Sequence, residues 1–287
     1  PDSEGALSMR STIRRGAAII ALACAPPAAG AAGDGPLRIA TLSYPVYLMA
    51  LNVAGRAPGV EVSYIRLHSA SAPAELANSD ILVAHGEGIE SSLDEIAIRF
   101  PGLAIVETAA GIARRGEEDE RLPWIWMSAG DAVREVRNLR GALERLDPAR
   151  RERYALNAER YAARLERLRD RIGGALDPYR GARAVALDGA SARFAREGGL
   201  DVVTAATAEE AIELARRTGA QLVLAGPRLP EASARMIAAE TRRPVCVIDP
   251  LAGGPDAPGA YVAIMRGNLA ALRSALRGRN AARGPAG

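Results

Sequence analysis

Residues 147–176, DPARRERYALNAERYAARLERLRDRIGGAL, constrain the fold more than any other stretch. Asp147 is a candidate N-cap with Pro148 in the first turn, the punctuation of a helix start. Tyr154, Tyr161, Leu165, Leu168 and Ile172 follow at spacings of 7, 4, 3 and 4, which places them on one helical stripe. Arg and Glu fill the other faces at i,i+3 or i,i+4, as a solvated surface requires. Gly173-Gly174 weaken the far end. At 1.5 Å per residue, about 25 helical residues reach roughly 37 Å, more than an ordinary domain helix needs. A rigid spine joining two lobes is the expectation, with small rigid-body closure rather than a wide clamp.

On either side of this stretch, apolar β-type runs alternate with helical ones. Before it come LRIATLS, VEVSYIRL, DILVA and LAIVET; after it come ARAVALD, LDVVTA, QLVLAGP and PVCVID. Between them lie helical segments, among them SSLDEIAIRF, read as N-capped. Strands alternating with helices imply parallel sheets. The predicted class is therefore α/β: two lobes with parallel sheets flanked by helices, bridged by one long helix. The expected boundaries are 37–146 and 181–278 for the lobes, 147–176 for the linking helix and 279–287 for a frayed tail. Ligands of such sheets bind beyond the carboxyl ends of the strands, and interlobe clefts are where small ligands sit.

Every one of the 37 basic residues is arginine, yet the net charge is only +3. The arginines sit beside glutamates and no basic run interleaves with aromatics, so nucleic-acid binding is not expected. Met9 is the expected start. Arg10, Arg14 and Arg15, then GAAIIALACA, then AAGAAGD read as a secretory signal within residues 1–32, which implies export to the periplasm. A lipid anchor at Cys24 is the minor alternative. Cys246 is then alone in the mature chain and mid-strand, a buried core thiol.

Several segments resemble the periplasmic solute-binding proteins of zinc- and manganese-type (cluster A-I) ABC importers. The family's long helix carries Asp-Pro, Tyr, Asn and Tyr at set spacing, found here as Asp147-Pro148, Tyr154, Asn157 and Tyr161. SDILVAHGEGIE, FAREGGLDVV, and VIDPL with YVAIMRGNLAAL resemble three further family segments. The resemblance implies a divalent metal ion, zinc or manganese, buried between two lobes, an inner-membrane ABC permease as partner, and a monomer. It implies metal ligands at His68, Asp188 and Asp249. Where the family has the His of a D-P-H-x-W-L-S-P motif, this chain has Trp124, whose indole N–H only donates and cannot coordinate a cation.

That leaves a carboxylate-richer site, to be completed by water, Glu87, His85 or the acidic run at 117–120, or a pocket taking another ligand. His85 is a loop residue in the first instance and a ligand in the second. Asp188 has helix capping as its alternative, and Asp249 a Pro-turn. Trp126 matches a family Trp and reads as packing. Trp124 either plugs a dead site or walls an apolar pocket for a small organic molecule or metal chelate, with Arg193 or Arg228 facing an anionic group. No Ser/His/Asp or Cys/His arrangement can be placed, so no enzyme is expected. The function expected is capture of a metal ion and its delivery to the permease. The alternatives are an organic or chelate ligand in the same cleft, or an accessory protein with an occluded cleft.

Overall fold

The apolar runs before the long helix form a four-stranded sheet: β1 (Leu37–Thr41), β2 (Val60–Tyr64), β3 (Ile81–Ala84) and β4 (Ala104–Glu107). The computed structural model describes residues 35–55, 59–112 and 124–282. The signal segment with Cys24 and the acidic run at 117–120 lie outside them. Strand order is β2-β1-β3-β4, every pair parallel. All four residues of β3 are buried, as a central parallel strand covered on both faces must be. The intervening helices are α1 (Tyr44–Ala54), α2 (Ala72–Ala77) and α3 (Leu93–Arg99). Ser92, read as the cap of α3, has helical dihedrals and makes no side-chain cap bond.

The second half repeats the plan. Strands β5 (Arg183–Ala186), β6 (Asp201–Thr204), β7 (Leu222–Ala225) and β8 (Val245–Val247) pair in parallel in the order β6-β5-β7-β8. Helices α6 (Gly189–Glu197), α7 (Ala208–Thr218) and α8 (Glu231–Thr241) connect them, and α9 (Ala260–Ala282) closes the chain. The helix runs past 278, where fraying was expected, because its Arg- and Ala-rich end contains no strong breaker before Gly284. Cys246 is buried in β8, where burial pushes its thiol up to about 11, as befits a core group.

Between the halves run α4 (Ala129–Leu146) and α5 (Arg151–Leu176). The predicted stripe is the buried face of α5: Tyr154, Tyr161, Leu165, Leu168 and Ile172 are all at most 2% exposed. One hydrophobic cluster contains this stripe together with Ile39 and Val83 of the first sheet and Ala184 and Leu224 of the second. The long helix is thus the middle of a shared core, packed chiefly on α4 and also on α1 and α9. Its exposed face pairs with α4 through Arg137–Glu166 and Arg140–Glu159, solvent-exposed bridges that contribute little. Gly173-Gly174 do not end the helix, which continues to Leu176.

Asp147 differs from its sequence reading. A 3-10 turn, Pro148–Arg150, precedes α5, and the Asp147 side chain caps neither element. Its Oδ2 instead accepts from Arg150 Nη1 at 2.9 Å and from the buried Tyr154 OH at 2.5 Å. Asn157 Nδ2 donates to Val53 O at the end of α1 at 3.1 Å. Gly55 makes room for that contact: its φ is +71°, and a Cβ there would lie 2.9 Å from Asn157 Nδ2. The Tyr-Asn-Tyr spacing therefore fixes the start of α5 to α4 and α1.

Tyr154→Phe leaves the Asp147 carboxylate short of one buried donor, which costs about 1–3 kcal/mol. Leu165→Ala empties a core site at about 2–5 kcal/mol. Arg167→Ala, on the exposed face, stays within about 0.5 kcal/mol. Urea unfolding of the three variants checks the order.

Candidate functional site: the interlobe cleft

The cleft is built by the turns that leave the carboxyl ends of the strands. From the first half come Leu42, Ser43, Tyr44 and Pro45 after β1, and Tyr64 at the end of β2; Trp124 and Trp126 precede α4. The second half supplies Leu187 and Asp188 after β5, residues 225–229 after β7, and residues 250–252 after β8. They enclose about 500 Å³. Short apolar strands end on small or turn-forming residues here, which opens the space between the two edges.

Trp126 is the joint under the cleft. Its Nε1 donates to Pro250 O at 3.0 Å and its carbonyl accepts from Tyr261 OH at 2.6 Å, so both contacts reach the second half of the chain. Trp124 meets it edge-on at 5.2 Å and forms a half-buried wall of the cavity. His85 stacks on the other side of Trp126 at 4.6 Å and 19°.

His85 is wholly buried, and it does not line the cleft. Its Nδ1 lies 2.6 Å from Oε1 of the equally buried Glu135 on α4, which also accepts from Thr108 Oγ1 at 2.8 Å. The loop backbone is clamped from Glu90, whose carboxylate accepts from His85 N at 2.9 Å and Gly86 N at 2.8 Å. Burial alone would push the His85 pKa down; the charge and hydrogen bond of Glu135, aided by Glu90, outweigh it and raise the pKa above 6.5. His85 is therefore a charge-paired support beneath Trp126 and not a pocket residue. Glu87 is also away from the cavity: it is exposed at the loop tip with φ +51°, its backbone N donating to Glu107 Oε2 at 3.0 Å.

The three expected metal ligands do not come together. Among the described residues no group of three or more His, Cys, Asp or Glu side chains is placed to hold a metal ion. His68 is exposed on the turn after β2 and is not part of the cavity wall. Asp188 does line it, but caps α6: Oδ1 accepts from Ser191 N and Oδ2 from Ser191 Oγ, both at 2.8 Å. Asp249 lies just behind the wall. Its Oδ1 accepts from Leu251 N at 2.8 Å, the Pro-turn reading, and Asn268 brackets its backbone. Burial first, and then the charges of Asp249 and Asp256, raise the Tyr44 pKa above its ordinary value.

Of the two arginines, Arg193 is spoken for by the mostly buried Asp131 of α4. Arg228 lines the cleft, exposed, with no ion pair among the described residues. The tyrosines of α1 escaped the sequence reading. Tyr44 OH donates to Pro255 O at 2.8 Å, Tyr47 OH bonds Asp256, and Asn52 Nδ2 donates to Pro258 O at 2.9 Å. Together they tie the loop after β8 to α1. The signal was a polar edge at i, i+3 and i+8 in an otherwise apolar helix.

A family profile described as "Zinc-uptake complex component A periplasmic" matches residues 44–275. Similar solved structures include the Zn(II)-bound ZnuA-like domain of Streptococcus pneumoniae AdcA, at 21% identity and TM-score 0.71, covering 84% of this chain and 99% of that one. The solute-binding protein FpvC of Pseudomonas aeruginosa in complex with Mn2+ has 21% identity and TM-score 0.75, covering 85% and 99%. The metal-dependent lipoprotein YcdH of Bacillus subtilis has 20% identity and TM-score 0.72, covering 84% and 99%. At these identities the structures bear on the fold. No curated protein sequence matches.

Because the folded His85 pKa is raised, the stability its pairing contributes is full below the unfolded value of about 6.5 and is lost as pH climbs through the folded value. Urea midpoints should therefore fall as the pH is raised above about 6.5 in the parent protein, and this slope should flatten in Glu135→Gln.

Proposed function

The chain belongs to the zinc-uptake component A family of periplasmic binding proteins, and from this we propose that it is the substrate-binding component of an ABC importer. It captures cargo in the interlobe cleft in the periplasm and, as a monomer, hands it to an inner-membrane permease. No helix among the described residues is long and apolar enough to cross a membrane, so a separate permease would carry the cargo across. The single core that α5 carries through both halves favours small rigid-body closure.

The cargo best suited to this cleft is a small organic molecule or a metal chelate. The observation that carries this reading is the wall itself: Trp124, Tyr44, Tyr64 and Leu187 around about 500 Å³, a volume in the range of small-molecule sites. The same volume argues against an occluded cleft. Tetrahedral zinc takes His, Cys or carboxylate donors. Here an indole stands at one family ligand position, Asp188 has both oxygens engaged, and His68 is outside the cavity. Bare-ion capture, with zinc or manganese held by His68, Asp188 and Asp249, is the second reading. It draws on the Zn(II) and Mn2+ named for AdcA and FpvC and on the nearness of Asp249 to Tyr44.

Calorimetric titration of chelator-treated protein with Zn2+, Mn2+ and Ni2+ separates the two. The expected result is no heat beyond that of an Asp188→Asn/Asp249→Asn double variant, with an organic adduct in native mass spectra of protein taken gently from the periplasm. Saturable binding of a bare ion below about 1 μM, lost in the double variant, would establish metal-ion capture instead.

A further inference from the structure

Four side chains in the cleft wall carry charge or can acquire it: Tyr44, Tyr64, Asp188 and Arg228. Tyr44 spends its hydroxyl proton on Pro255 O. The Asp188 carboxylate receives two donors from Ser191 and faces the N-terminus of α6, which offsets its negative charge. Arg193, the other candidate cation, is held by Asp131 away from the cavity.

What remains uncommitted is donor capacity. Arg228 presents a guanidinium with five N–H groups and, among the described residues, no ion-pair partner. Ser43 Oγ is buried in the opposite wall without a hydrogen-bond partner among the described residues, and it does not cap α1. The remaining lining is aromatic or aliphatic, with Trp124 edge-on to Trp126 as a stiff wall.

Resting on the organic-cargo reading above, we infer that the cargo is an anion: a flat, largely apolar organic molecule, free or as its metal chelate, bearing an oxyanion group that Arg228 binds. The aromatic wall supplies area and stacking, the guanidinium a charge-assisted pair to a carboxylate, sulfonate or phosphate. Arg228 is a specificity residue in this scheme. It selects charge, whereas Trp124 contributes to binding of any flat ligand.

Two probes with one skeleton test this: 8-hydroxyquinoline and its 5-sulfonate, each with and without Zn2+, beside Zn2+ alone. Calorimetry on the parent protein should show the sulfonate bound about tenfold more tightly than the unsulfonated compound, the size expected for one charge-assisted contact. Arg228→Gln should abolish that preference, lowering the sulfonate's affinity to that of 8-hydroxyquinoline measured on the same variant. Trp124→Ala should weaken both compounds. Arg228 is exposed, so its variant folds as the parent does. Tighter binding of the Zn2+-loaded sulfonate assigns the chelate as the cargo type, and tighter binding of the metal-free one assigns the free anion; either supports the inference. Equal affinity for the two skeletons, or a sulfonate preference that survives Arg228→Gln, overturns the anion and leaves the organic cleft standing. Binding of Zn2+ alone with no binding of either quinoline removes the organic cleft itself, and the anion with it.

Discussion

The structure depends on one buried helix face shared by the helices of both halves. Each four-stranded parallel sheet covers its inner face with helices, α1 and α4 on the first and α6 and α9 on the second. The stripe from Tyr154 to Ile172 packs on α4, α1 and α9, so that the two halves are parts of one hydrophobic cluster. Parallel strands need helical cover on both faces, and α5 joins the covering helices of the two halves into one layer. The geometric consequence is functional: the carboxyl edges of β1 and β5 face a common space whose width is set by α5 and the joint at Trp126. The contacts that Trp126 makes, Pro250 O on its indole and Tyr261 OH on its carbonyl, keep the two edges at a fixed separation.

The polar groups beneath that joint are arranged to hold it. A buried imidazole without a partner would be neutral and would pack on Trp126 as a plain ring. Pairing with Glu135 raises its pKa and so favours the protonated ring, which stacks on the indole face, where a cation is favoured. The short contact between His85 and Glu135, the Thr108 hydroxyl on Glu135 and the nearby Glu90 carboxylate offset part of the cost of burying both groups. His85 Nε2 and Glu135 Oε2 have no hydrogen-bond partner among the described residues. On the other side of the cleft, Tyr44, Tyr47 and Asn52 tie the loop after β8 to the first half. The wall is thus supported from both flanks.

Periodicity made the architecture legible. A stripe at helical spacing and alternating apolar runs depend only on local order, which is why the strands, their parallel pairing and the buried face of the long helix follow from the residues. Charged side chains are a different matter. Asp147 has the position of an N-cap, but Tyr154 and Arg150 compete for its carboxylate and win. His85 has the position of a loop residue, and Glu135, fifty residues away, makes it a core residue. Arg193 and Arg228 look alike in sequence; only the fold delivers Asp131 to one of them. His68 and Asp249 were placed by alignment to a family pattern, and alignment carries no information on whether donors converge. Side-chain partners at long sequence separation decide each of these cases, and no local signal encodes them.

In the reading proposed above, Trp124 in a histidine's place redirects the site without disturbing its scaffold. An imidazole at that position would offer a lone pair to a cation; an indole offers a proton and a large apolar face. Asp188 is satisfied locally, because α6 offers it Ser191 N and Oγ. A carboxylate stabilised by a helix N-terminus and two donors has less to gain from a cation than an unsatisfied one. In the proposed reading the indole and the capping act in the same direction: both lower the return on binding a bare ion and leave the cleft's unspent polar capacity on Arg228. The scaffold does not resist the change, because the stripe of α5, the Trp126 joint and the α1 strap lie outside the exchanged position.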